Sequence, residues 1–516
     1  MKRSTQWVVA GIALAIFAAG NMAGRMVPKS QPTIVQAERS VAATTELKTV
    51  AQQVEKLLSA RPSGKMIEVH EGGSIQDAIN NASPGDTVRL FPGTYNETVY
   101  IDKDNITLSG VIESGEWPTL DGEGERNDAI LYSGNGIVIE NMKITRYKGN
   151  GIMGQAGNNF VIRNNWVVDT GVYGIFPQYG RNGFIDQNIL SGIKDAAIYV
   201  GMCDNIHVSS NEVYGNVAGI EIENSRHAVV EGNYAHDNTG GILAFITPGL
   251  PIKTTNDVII RDNFIVNNNT ENFGEPGSIV ANVPAGTGII IMAADDVMIE
   301  GNVITGNKNA GIIISDMTFA ENLPSDPESD PNPERIRIYD NFMADNGAEP
   351  IAEVLAFAAT QLVFDSRGAD IIDTKADPNS CIHDLARYRT AGLSDYGVCA
   401  PGGTAEVVSY LLDTPVEPRE ITMSDKGKLA YYAICAGCHA YDIRLIGPKV
   451  TEIQLSYKDN PQGIVDYITQ PVKRRPDYAE MPPQDYLDEE VRQAVARFML
   501  EVNRHSSVAG APVSPE

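Results

Sequence analysis

The stretch Val161-Ile162-Arg163-Asn164-Asn165 recurs, with changes, six more times along the chain. Each copy reads as a short apolar-rich strand followed by a turn that ends in asparagine. The asparagines are 23, 23 and 22 residues apart at first, and then 30, 39 and 39 residues apart. The seven copies end at Asn165, Asn188, Asn211, Asn233, Asn263, Asn302 and Asn341.

A second series keeps the same phase, with a small residue before an isoleucine once per repeat. Its members are Gly151-Ile152, Gly174-Ile175, Ala197-Ile198, Gly219-Ile220, Gly241-Ile242, Gly288-Ile289 and Gly311-Ile312. A short period with strands and no helix between them predicts a β-solenoid whose coils stack about 4.8 Å apart. The leucine-rich consensus of a leucine-rich repeat is absent. Stacked asparagines would bond to the backbone of the neighbouring coil.

This pattern resembles right-handed parallel β-helix proteins, the fold of many pectate lyases and alginate epimerases. Ser74–Gly110 looks like the opening cap and first coils of that family, including a short amphipathic helix at Ser74–Ile79. The resemblance covers about residues 66–346 and implies the fold more firmly than a function. We therefore expect a mainly β chain, with a right-handed parallel β-helix over residues 66–346.

The longer repeats contain insertions, and insertions on one side of a solenoid usually build its binding wall. They are Thr247–Asn256, Asn267–Gly286 and Thr318–Glu334. The related lyases and epimerases resemble one another in removing the C5 proton of a uronic acid, which needs a base, an acid and a neutralising cation. The candidate catalytic residues are Arg226, His227, His236, Asp237 and Lys253.

The tetrapeptide Tyr234-Ala235-His236-Asp237 resembles the Asp-Pro-His stretch of alginate epimerases, without its first Asp and its Pro. The alternative interpretation makes Asp237 a turn residue and His227 an exposed strand residue.

Residues 347–420 are expected to form a cap over the open end of the β-helix, followed by a linker near Pro415–Arg419. The cap would protect an exposed strand edge. Cys381 and Cys399 flank a short polar segment. We predict a disulfide between them, since it would close a short loop in an oxidising compartment. Cys203 is expected to be a buried, small apolar residue.

Cys435-Ala436-Gly437-Cys438-His439 forms a C-x-x-C-H motif. The two thiols can add to the vinyl groups of one haem, and the histidine can then bind its iron. The alternatives are a redox C-x-x-C pair or half of a zinc site. Zinc would need a second pair of ligands, and the sequence offers no second C-x-x-C or H-x-x-x-H. The motif therefore predicts one covalent haem c.

Residues 421–505 resemble a class I cytochrome c, a small all-α domain. The resemblance rests on the haem motif, on Ile446-Gly447-Pro448 and on Met481-Pro482-Pro483. It implies that the proline after the motif braces His439 and that Met481 is the sixth ligand of the iron. Met499 is the rival ligand, but it lies in a helical pattern at Glu489–Val502 and is expected to pack against a helix at Lys426–Ile434. Residues 506–516 are expected to form a disordered tail.

The chain starts with Met1-Lys2-Arg3, an apolar run from Trp7 to Ala19 and small residues up to Gly24. This order predicts a signal peptide or an uncleaved N-terminal anchor at residues 1–24, followed by a spacer at 25–65. Export and haem attachment together predict a bacterial periplasmic or cell-surface protein, with an inner-membrane tether as one alternative. The net charge of −26 argues against nucleic acid as a partner.

The main functional expectation is one-electron transfer to a redox partner protein, with the β-helix binding that partner or a polysaccharide. The first alternative is a carbohydrate-active lyase or epimerase with an accessory cytochrome domain. The second alternative is a binding or scaffold protein of the cell surface. The electron-transfer hypothesis and the lyase or epimerase hypothesis differ in whether ionisable groups converge in a groove of the β-helix.

Overall fold

The computed structural model describes residues 49–503, apart from 320–322, 324–325, 363–366, 402–405, 419–421, 437, 443, 445 and 479. The predicted signal or anchor at residues 1–24, most of the spacer, and the tail at 506–516 lie outside the described residues. No helix in the described ranges is long and apolar enough to cross a membrane.

Three parallel sheets, here called A, B and C, stack along the β-helix, and every coil contributes strands to them in turn. Sheet A contains Met66–Val69, Thr87–Leu90, Thr107–Gly110, Val138–Glu140, Val161–Arg163, Arg181–Asp186, Asp204–Ser209, Arg226–Glu231, Asn256–Arg261, Asp295–Glu300, Arg337–Tyr339, Cys381–Ile382 and Gly397–Val398. Sheet B contains Gly93–Tyr95, Pro118–Asp121, Lys143–Thr145, Trp166–Val168, Ile189–Ser191, Glu212–Tyr214, Tyr234–His236, Phe264–Val266, Val303–Thr305 and Phe342–Ala344. Sheet C contains Val99–Ile101, Ile130–Tyr132, Ile152–Gln155, Ile175–Gln178, Ala196–Gly201, Ala218–Glu223, Gly240–Phe245, Thr287–Met292, Ala310–Ser315, Ile371–Asp373 and Thr390–Ala391.

The core of the β-helix is a set of apolar columns that run from coil to coil. In sheet C, Ile220 pairs in register with Ile242, which pairs with Ile289, and all three side chains are fully buried. The small residue before each isoleucine has a steric cause. A Cβ atom on Gly241 would lie 2.4 Å from the carbonyl oxygen of Gly288 in the next coil. The small-residue–isoleucine series therefore marks the closest approach of successive coils.

The predicted asparagine ladder is confirmed. The side-chain oxygen of Asn263 accepts from the backbone N and the Nδ2 of Asn233, and its own Nδ2 donates to the Val230 carbonyl. All seven asparagines of the series are buried. A second ladder, absent from our sequence-based expectations, lies five residues further along each coil. Its members are Asn216, Asn238, Asn268, Asn307 and Asn346.

Parallel pairing continues beyond residue 346, where only a cap was expected. Ile371–Asp373 pairs with Ala310–Ser315, and Cys381–Ile382 pairs with Arg337–Tyr339. A helix, Ala352–Thr360, precedes these two strands and packs through Val354 and Ala358 on the outer face of the last strands of sheet C. The predicted disulfide between Cys381 and Cys399 is confirmed, and Cys203 is buried as expected.

Two helices cover the start of the β-helix. Helix α1, Val50–Ser59, packs through Val54 and Leu57 against the outer face of sheet A. Helix α2, Ile75–Asn81, is the predicted cap, with Ser74 as its N-cap and an apolar face in the core. The helix at 352–360 is α3. Short 3₁₀ turns occur at Val280–Asn282, Met317–Phe319 and Leu385–Arg387.

Residues 406–418, here called the strap, run back along the β-helix towards its first half. The strap crosses one coil after another, because Arg261 donates to the carbonyls of Val407 and Val408, and Asn182 accepts from the backbone N of Leu412. At its far end, Asn159 both donates to and accepts from the backbone of Val416. The strap thus delivers the chain to the coils that contain residues 127–200.

The helical region follows the strap. It contains α4 (Met423–Ala430), a wide turn of π type at Tyr431–Cys435, α5 (Val450–Ser456), α6 (Pro461–Thr469) and α7 (Glu489–Glu501). The helices predicted at 426–434 and 489–502 are confirmed near these bounds. Helices α4 and α7 cross at Gly427, where a Cβ atom would lie 2.5 Å from the carbonyl carbon of Ala494. The helical region packs on the outer face of sheet C.

Candidate functional site

A cavity of about 240 Å³ lies between the outer face of sheet C and the helical region. Two of the predicted insertions build its side walls, through residues 247–250 and 278–284. These insertions thus form walls of a cavity, and their role in binding stays a prediction. Tyr432, His439 and Tyr441 of the helical region close the cavity opposite the sheet. The site thus combines groups from three separate parts of the chain.

Three carboxyl groups line the floor of this cavity: Asp195, Glu221 and Glu223. Glu221 and Glu223 alternate along the strand Ala218–Glu223 with Ile220 and Ile222, which enter the core. Because successive strand residues point to opposite faces, both glutamates must point outward. The exposed fractions of Glu221 and Glu223 are only 3% and 7%, since the helical region and the insertions cover them.

Burial raises the pKa of all three groups. The pKa of Asp195 rises to about 8, first through burial and then through the negative charge of Glu223. Burial and the charge of Asp195 raise the pKa of Glu221 well above its usual range. Burial raises the pKa of Glu223 to about 7. Near neutral pH the cluster therefore contains protonated carboxylic acid and ionised carboxylate side by side, which is the arrangement required for general acid–base chemistry.

Aromatic side chains form the neighbouring part of the cavity. Tyr173 and Tyr199 are stacked, with ring centroids 4.5 Å apart and an interplanar angle of 13°. Phe176 lies 4.5 Å from Tyr199 and 4.7 Å from Tyr173 between ring centroids. Tyr199 and Phe176 occupy the same column of sheet C that Glu221 continues. The floor thus changes from aromatic to acidic along one column of the sheet.

The titration of Glu223 should appear in the pH dependence of stability. Below pH 4.5, the ordinary pKa, the group is protonated in both folded and unfolded chains. As pH rises from there towards 7, the unfolded chain loses this proton while the folded chain keeps it, so the free energy of unfolding falls; above 7 the loss levels off. The total loss is about 3 kcal/mol. Thermal melts of both proteins at pH 5 and pH 8 should therefore show that Glu223→Gln is more stable relative to wild type at pH 8 than at pH 5. An equal difference at both pH values would contradict the raised pKa.

The structure does not bring the predicted catalytic candidates of the β-helix together. Arg226 and His227 lie on sheet A, where the two side chains contact opposite oxygens of Asp204 at 3.0 and 2.6 Å. His236 lies on sheet B, stacked between Tyr214 and Tyr234. The reason is topological, since consecutive strands of one coil belong to different sheets and face different directions.

The two remaining candidates also lie apart. Asp237 is exposed beside His236, whose Nδ1 lies 2.8 Å from the Asp237 carboxylate. Lys253 forms an ion pair with Asp326 at 2.6 Å, which joins two insertions to each other. None of these five residues lines the cavity described above. They lie in strands, in a turn and in a loop. The alternative interpretation had predicted a turn for Asp237 and a strand for His227.

The C-x-x-C-H motif lies at the wall of the cavity. Nδ1 of His439 lies 2.8 Å from the carbonyl oxygen of Pro448, and because a carbonyl only accepts, Nδ1 carries the proton and Nε2 has a free lone pair. A Cβ atom on Gly447 would lie 2.3 Å from Cε1 of the His439 ring. Gly447 and Pro448 therefore form a cradle that fixes the ring, as the resemblance implied for Pro448.

Cys435 and Cys438 are thiols that are not joined in a disulfide, Cys435 being buried and Cys438 half-buried. Within the described part of the chain, no group of three or more His, Cys, Asp or Glu side chains could hold a metal ion. The zinc alternative therefore lacks its further ligands there. Two thiols and an imidazole with a free Nε2 fit a covalently attached haem.

Met481 and Met499 occupy different environments. Met481 is half-buried on a loop and packs against the hydrophobic cluster that contains Cys435. Met499 is 3% exposed in the middle of α7, within the core of the helical region. The expectation that Met499 packs inside the helical region is confirmed. The assignment of Met481 as an iron ligand stays a prediction.

Our sequence-based reasoning did not single out Asp195, Glu221 and Glu223. A signal was present, because the strand Ala218-Gly219-Ile220-Glu221-Ile222-Glu223 places two acids where neighbouring coils carry outward apolar or small residues. Tyr199 and Leu243 are the register neighbours of Glu221. Acids within an apolar outer column are expected at a covered site rather than on an open surface.

A family model described as "Right handed beta helix region" matches residues 98–249. A search of curated proteins finds no match. The mannuronan C-5 epimerase AlgE6 A-module of Azotobacter vinelandii is similar over 60% of this chain and 84% of its own, at 14% identity and a TM-score of 0.43. An alginate lyase of Paenibacillus sp. covers 55% of this chain and 97% of its own, at 15% identity and a TM-score of 0.39. A DFA-IIIase variant of Arthrobacter chlorophenolicus is similar over 67% of this chain and 99% of its own, at 11% identity and a TM-score of 0.43.

The expectation that this chain functions in one-electron transfer is wrong. The family match falls on the β-helix and gives no support for a cytochrome. The sequence reasoning gave the C-x-x-C-H motif too much weight, because a short motif can identify a bound group without identifying the activity of the whole chain. What is established is a mainly β chain with a right-handed β-helix region.

Proposed function

We propose that this protein is a carbohydrate-active enzyme that cleaves or transfers glycosidic bonds of uncharged sugars in the cavity on sheet C. The observation that carries the proposal is the trio of cavity carboxyl groups, the buried Glu221 and Glu223 and the half-buried Asp195, all with raised pKa values. Glycosidases use two carboxyl groups with different protonation states on either side of the scissile bond. The cavity supplies such a set at neutral pH.

The reaction follows from these protonation states. Protonated Glu221 gives its proton to the leaving glycosidic oxygen as the bond from that oxygen to the anomeric carbon breaks. Ionised Glu223 takes a proton from a water molecule, whose oxygen forms the new bond to the anomeric carbon. Residues two apart on a strand have Cβ atoms about 6.6 Å apart. Inverting glycosidases hold their two carboxyl groups further apart than retaining ones do. Burial is the main cause that keeps Glu221 protonated.

The charge of the cavity favours an uncharged substrate over the uronic acids of lyases and epimerases. No Lys or Arg occurs among the described residues that line it. A uronate carboxylate would therefore meet like charges without a cation to neutralise it. The aromatic surface of Tyr173, Phe176 and Tyr199 can instead pack against the C–H face of a sugar ring.

The test is the release of reducing ends from a panel of purified polysaccharides. Xylan, glucomannan and inulin are the uncharged probes, and alginate and polygalacturonate are the acidic ones. We expect activity on at least one uncharged probe, and Glu221→Gln and Glu223→Gln should each lower kcat by about 100-fold or more. Asp373→Asn is the matched control, since Asp373 is a buried acid of the same sheet that accepts from Tyr396 at a distant coil. Full activity in both glutamine variants, or activity on acidic probes alone, would contradict the proposal.

We further propose that Cys435, Cys438 and His439 hold one covalently attached haem. The support is the motif, the free Nε2 of His439 and the Gly447–Pro448 cradle. When bound, the group supplies a redox-active iron beside the cavity. Its attachment outside the bacterial cytoplasm agrees with the signal-like N-terminus and with the Cys381–Cys399 disulfide.

Haem attachment has a direct measurement. The full-length chain, exported from a host with haem-attachment machinery, should give a pyridine haemochrome spectrum of one haem per chain that survives acid–acetone extraction. Cys435→Ser combined with Cys438→Ser should lose that haem, whereas Cys203→Ser should keep it, because Cys203 lies in the β-helix core. Extractable haem, or no haem, in the wild-type protein would contradict the proposal.

A further inference from the structure

The loop between α6 and α7 is bound to the β-helix through buried polar groups. The hydroxyl of Tyr486 donates to Oδ2 of Asp128 at 2.5 Å. Nδ2 of Asn127 lies 3.4 Å from Oε1 of Gln484 and 3.2 Å from the Tyr486 hydroxyl oxygen. Asp128 is fully buried, and Asn127 and Gln484 are 7% and 3% exposed. The loop is thus attached to one defined point of the solenoid.

That point is rigid on the β-helix side. Oδ1 of Asp128 accepts from the backbone N of Asn150 at 2.8 Å and from its Nδ2 at 2.7 Å, and Asn150 belongs to the next coil. Nδ2 of Asn127 donates to Oδ2 of Asp128 at 2.8 Å. The carboxylate of Asp128 is therefore held by two coils and cannot follow movements of Tyr486. It acts as a fixed anchor for the loop.

The loop transmits this anchorage to Met481. Gln484 donates from its backbone N to the Ile468 carbonyl of α6 at 2.7 Å, and from Nε2 to the Pro482 carbonyl at 3.0 Å. Pro482 and Pro483, the only residues between Met481 and Gln484, have φ values restricted by their rings. Few backbone rotations therefore remain between the anchor and the thioether of Met481.

We propose that Asp128 and Tyr486 are positioning residues through which the β-helix holds Met481 as the sixth ligand of the haem iron. This inference rests on the haem proposed above. It assigns the β-helix a task in the helical region: a ligand on a mobile loop would exchange easily, whereas a ligand tied to a stacked coil stays in place. It also accounts for a buried carboxylate at the contact between the two regions.

The experiment compares Tyr486→Phe and Asp128→Asn with wild type in the haem-loaded, full-length protein. Added imidazole competes with the methionine for ferric iron, and its binding is followed through the far-red band of methionine-ligated haem. Loss of this buried hydrogen bond should raise the affinity for imidazole by about tenfold in each variant. Met481→Ala should lack the band altogether. Tyr467→Phe is the control, since its exposed hydroxyl donates to Val472 within the helical region.

Three readings decide the matter. A retained haemochrome and an unchanged circular dichroism spectrum, together with tighter imidazole binding in both variants and not in Tyr467→Phe, would support the positioning role. Wild-type imidazole affinity in folded, haem-loaded Tyr486→Phe and Asp128→Asn would overturn it. A wild-type chain without covalent haem would overturn it together with the haem proposal, and would leave the carbohydrate proposal standing.

Discussion

Replacing Asn263 with alanine is expected to lower the free energy of unfolding by roughly 3–5 kcal/mol. The side-chain oxygen of Asn263 is the acceptor for both the backbone N and the Nδ2 of Asn233, at 2.9 and 3.0 Å. Its Nδ2 donates to the Val230 carbonyl at 2.9 Å and to Oδ1 of Asn302 at 2.9 Å. Alanine would remove the buried acceptor of the Asn233 backbone N and the side-chain donor to the Val230 carbonyl. Nδ2 of Asn233 and Oδ1 of Asn302 would each keep one other partner.

The measurement is a urea unfolding curve followed by circular dichroism. Asn96→Ala is the control, because the exposed Asn96 makes a similar side-chain bond to the Asp121 carbonyl at 3.1 Å. We expect this control to lose about 1 kcal/mol or less. If Asn263→Ala lowered the free energy of unfolding no more than Asn96→Ala does, the ladder would not contribute to the stability of the fold.

Replacing Gly427 with alanine is expected to destabilise the helical region by about 2 kcal/mol, although alanine is the better helix former. The new Cβ atom would lie 2.5 Å from the carbonyl carbon and 2.6 Å from the Cβ of Ala494. Both belong to the body of α7, so α4 and α7 would have to move apart. Because the same region closes the cavity, the glutamates beneath it should become more exposed.

Thermal melting of the full-length protein, with limited proteolysis to locate the loosened segment, measures this effect. Gly463→Ala is the comparison, since its Cβ atom would meet Nδ2 of the Asn460 side chain at 2.6 Å and not the body of another helix. It can cost at most the N-cap bond from the Gly463 backbone N to Oδ1 of Asn460, about 1 kcal/mol. Equal melting temperatures and equal cleavage of Gly427→Ala and wild type would show that the helix crossing tolerates a methyl group.

The β-helix could be predicted from the sequence because its cause is local and repeated. Each coil must place an isoleucine in the core and a small residue at the closest approach, so the phase of Ile220, Ile242 and Ile289 is visible without coordinates. The asparagine ladder at Asn263 was predictable for the same reason. The second ladder at Asn268 has an equally regular signal, but it lies five residues beyond the asparagine at which each aligned repeat ends.

The site could not be predicted in the same way, because its cause is not local. On the isolated strand, Glu221 and Glu223 look like solvated outward residues. Their raised pKa values arise only when the helical region covers them, and its position depends on the strap and on the Asp128–Tyr486 contact. The five candidates between residues 226 and 253 suggested chemistry by residue type, but they lie on two different sheets, in a turn and in a loop.

The strap also has a consequence for the order of folding. It joins partners such as Asn182 and Leu412, 230 positions apart, and beyond it Asn127 and Gln484 meet across 357 positions. Neighbouring coils of the asparagine ladder, by contrast, meet across 22 to 39 positions and can stack as soon as they are made. High sequence separation slows folding, because a long loop must close before its contacts stabilise anything. We therefore expect the solenoid to form first and the cavity to be completed in a late, separate kinetic phase, so that a chain interrupted before the strap would be a folded but open β-helix.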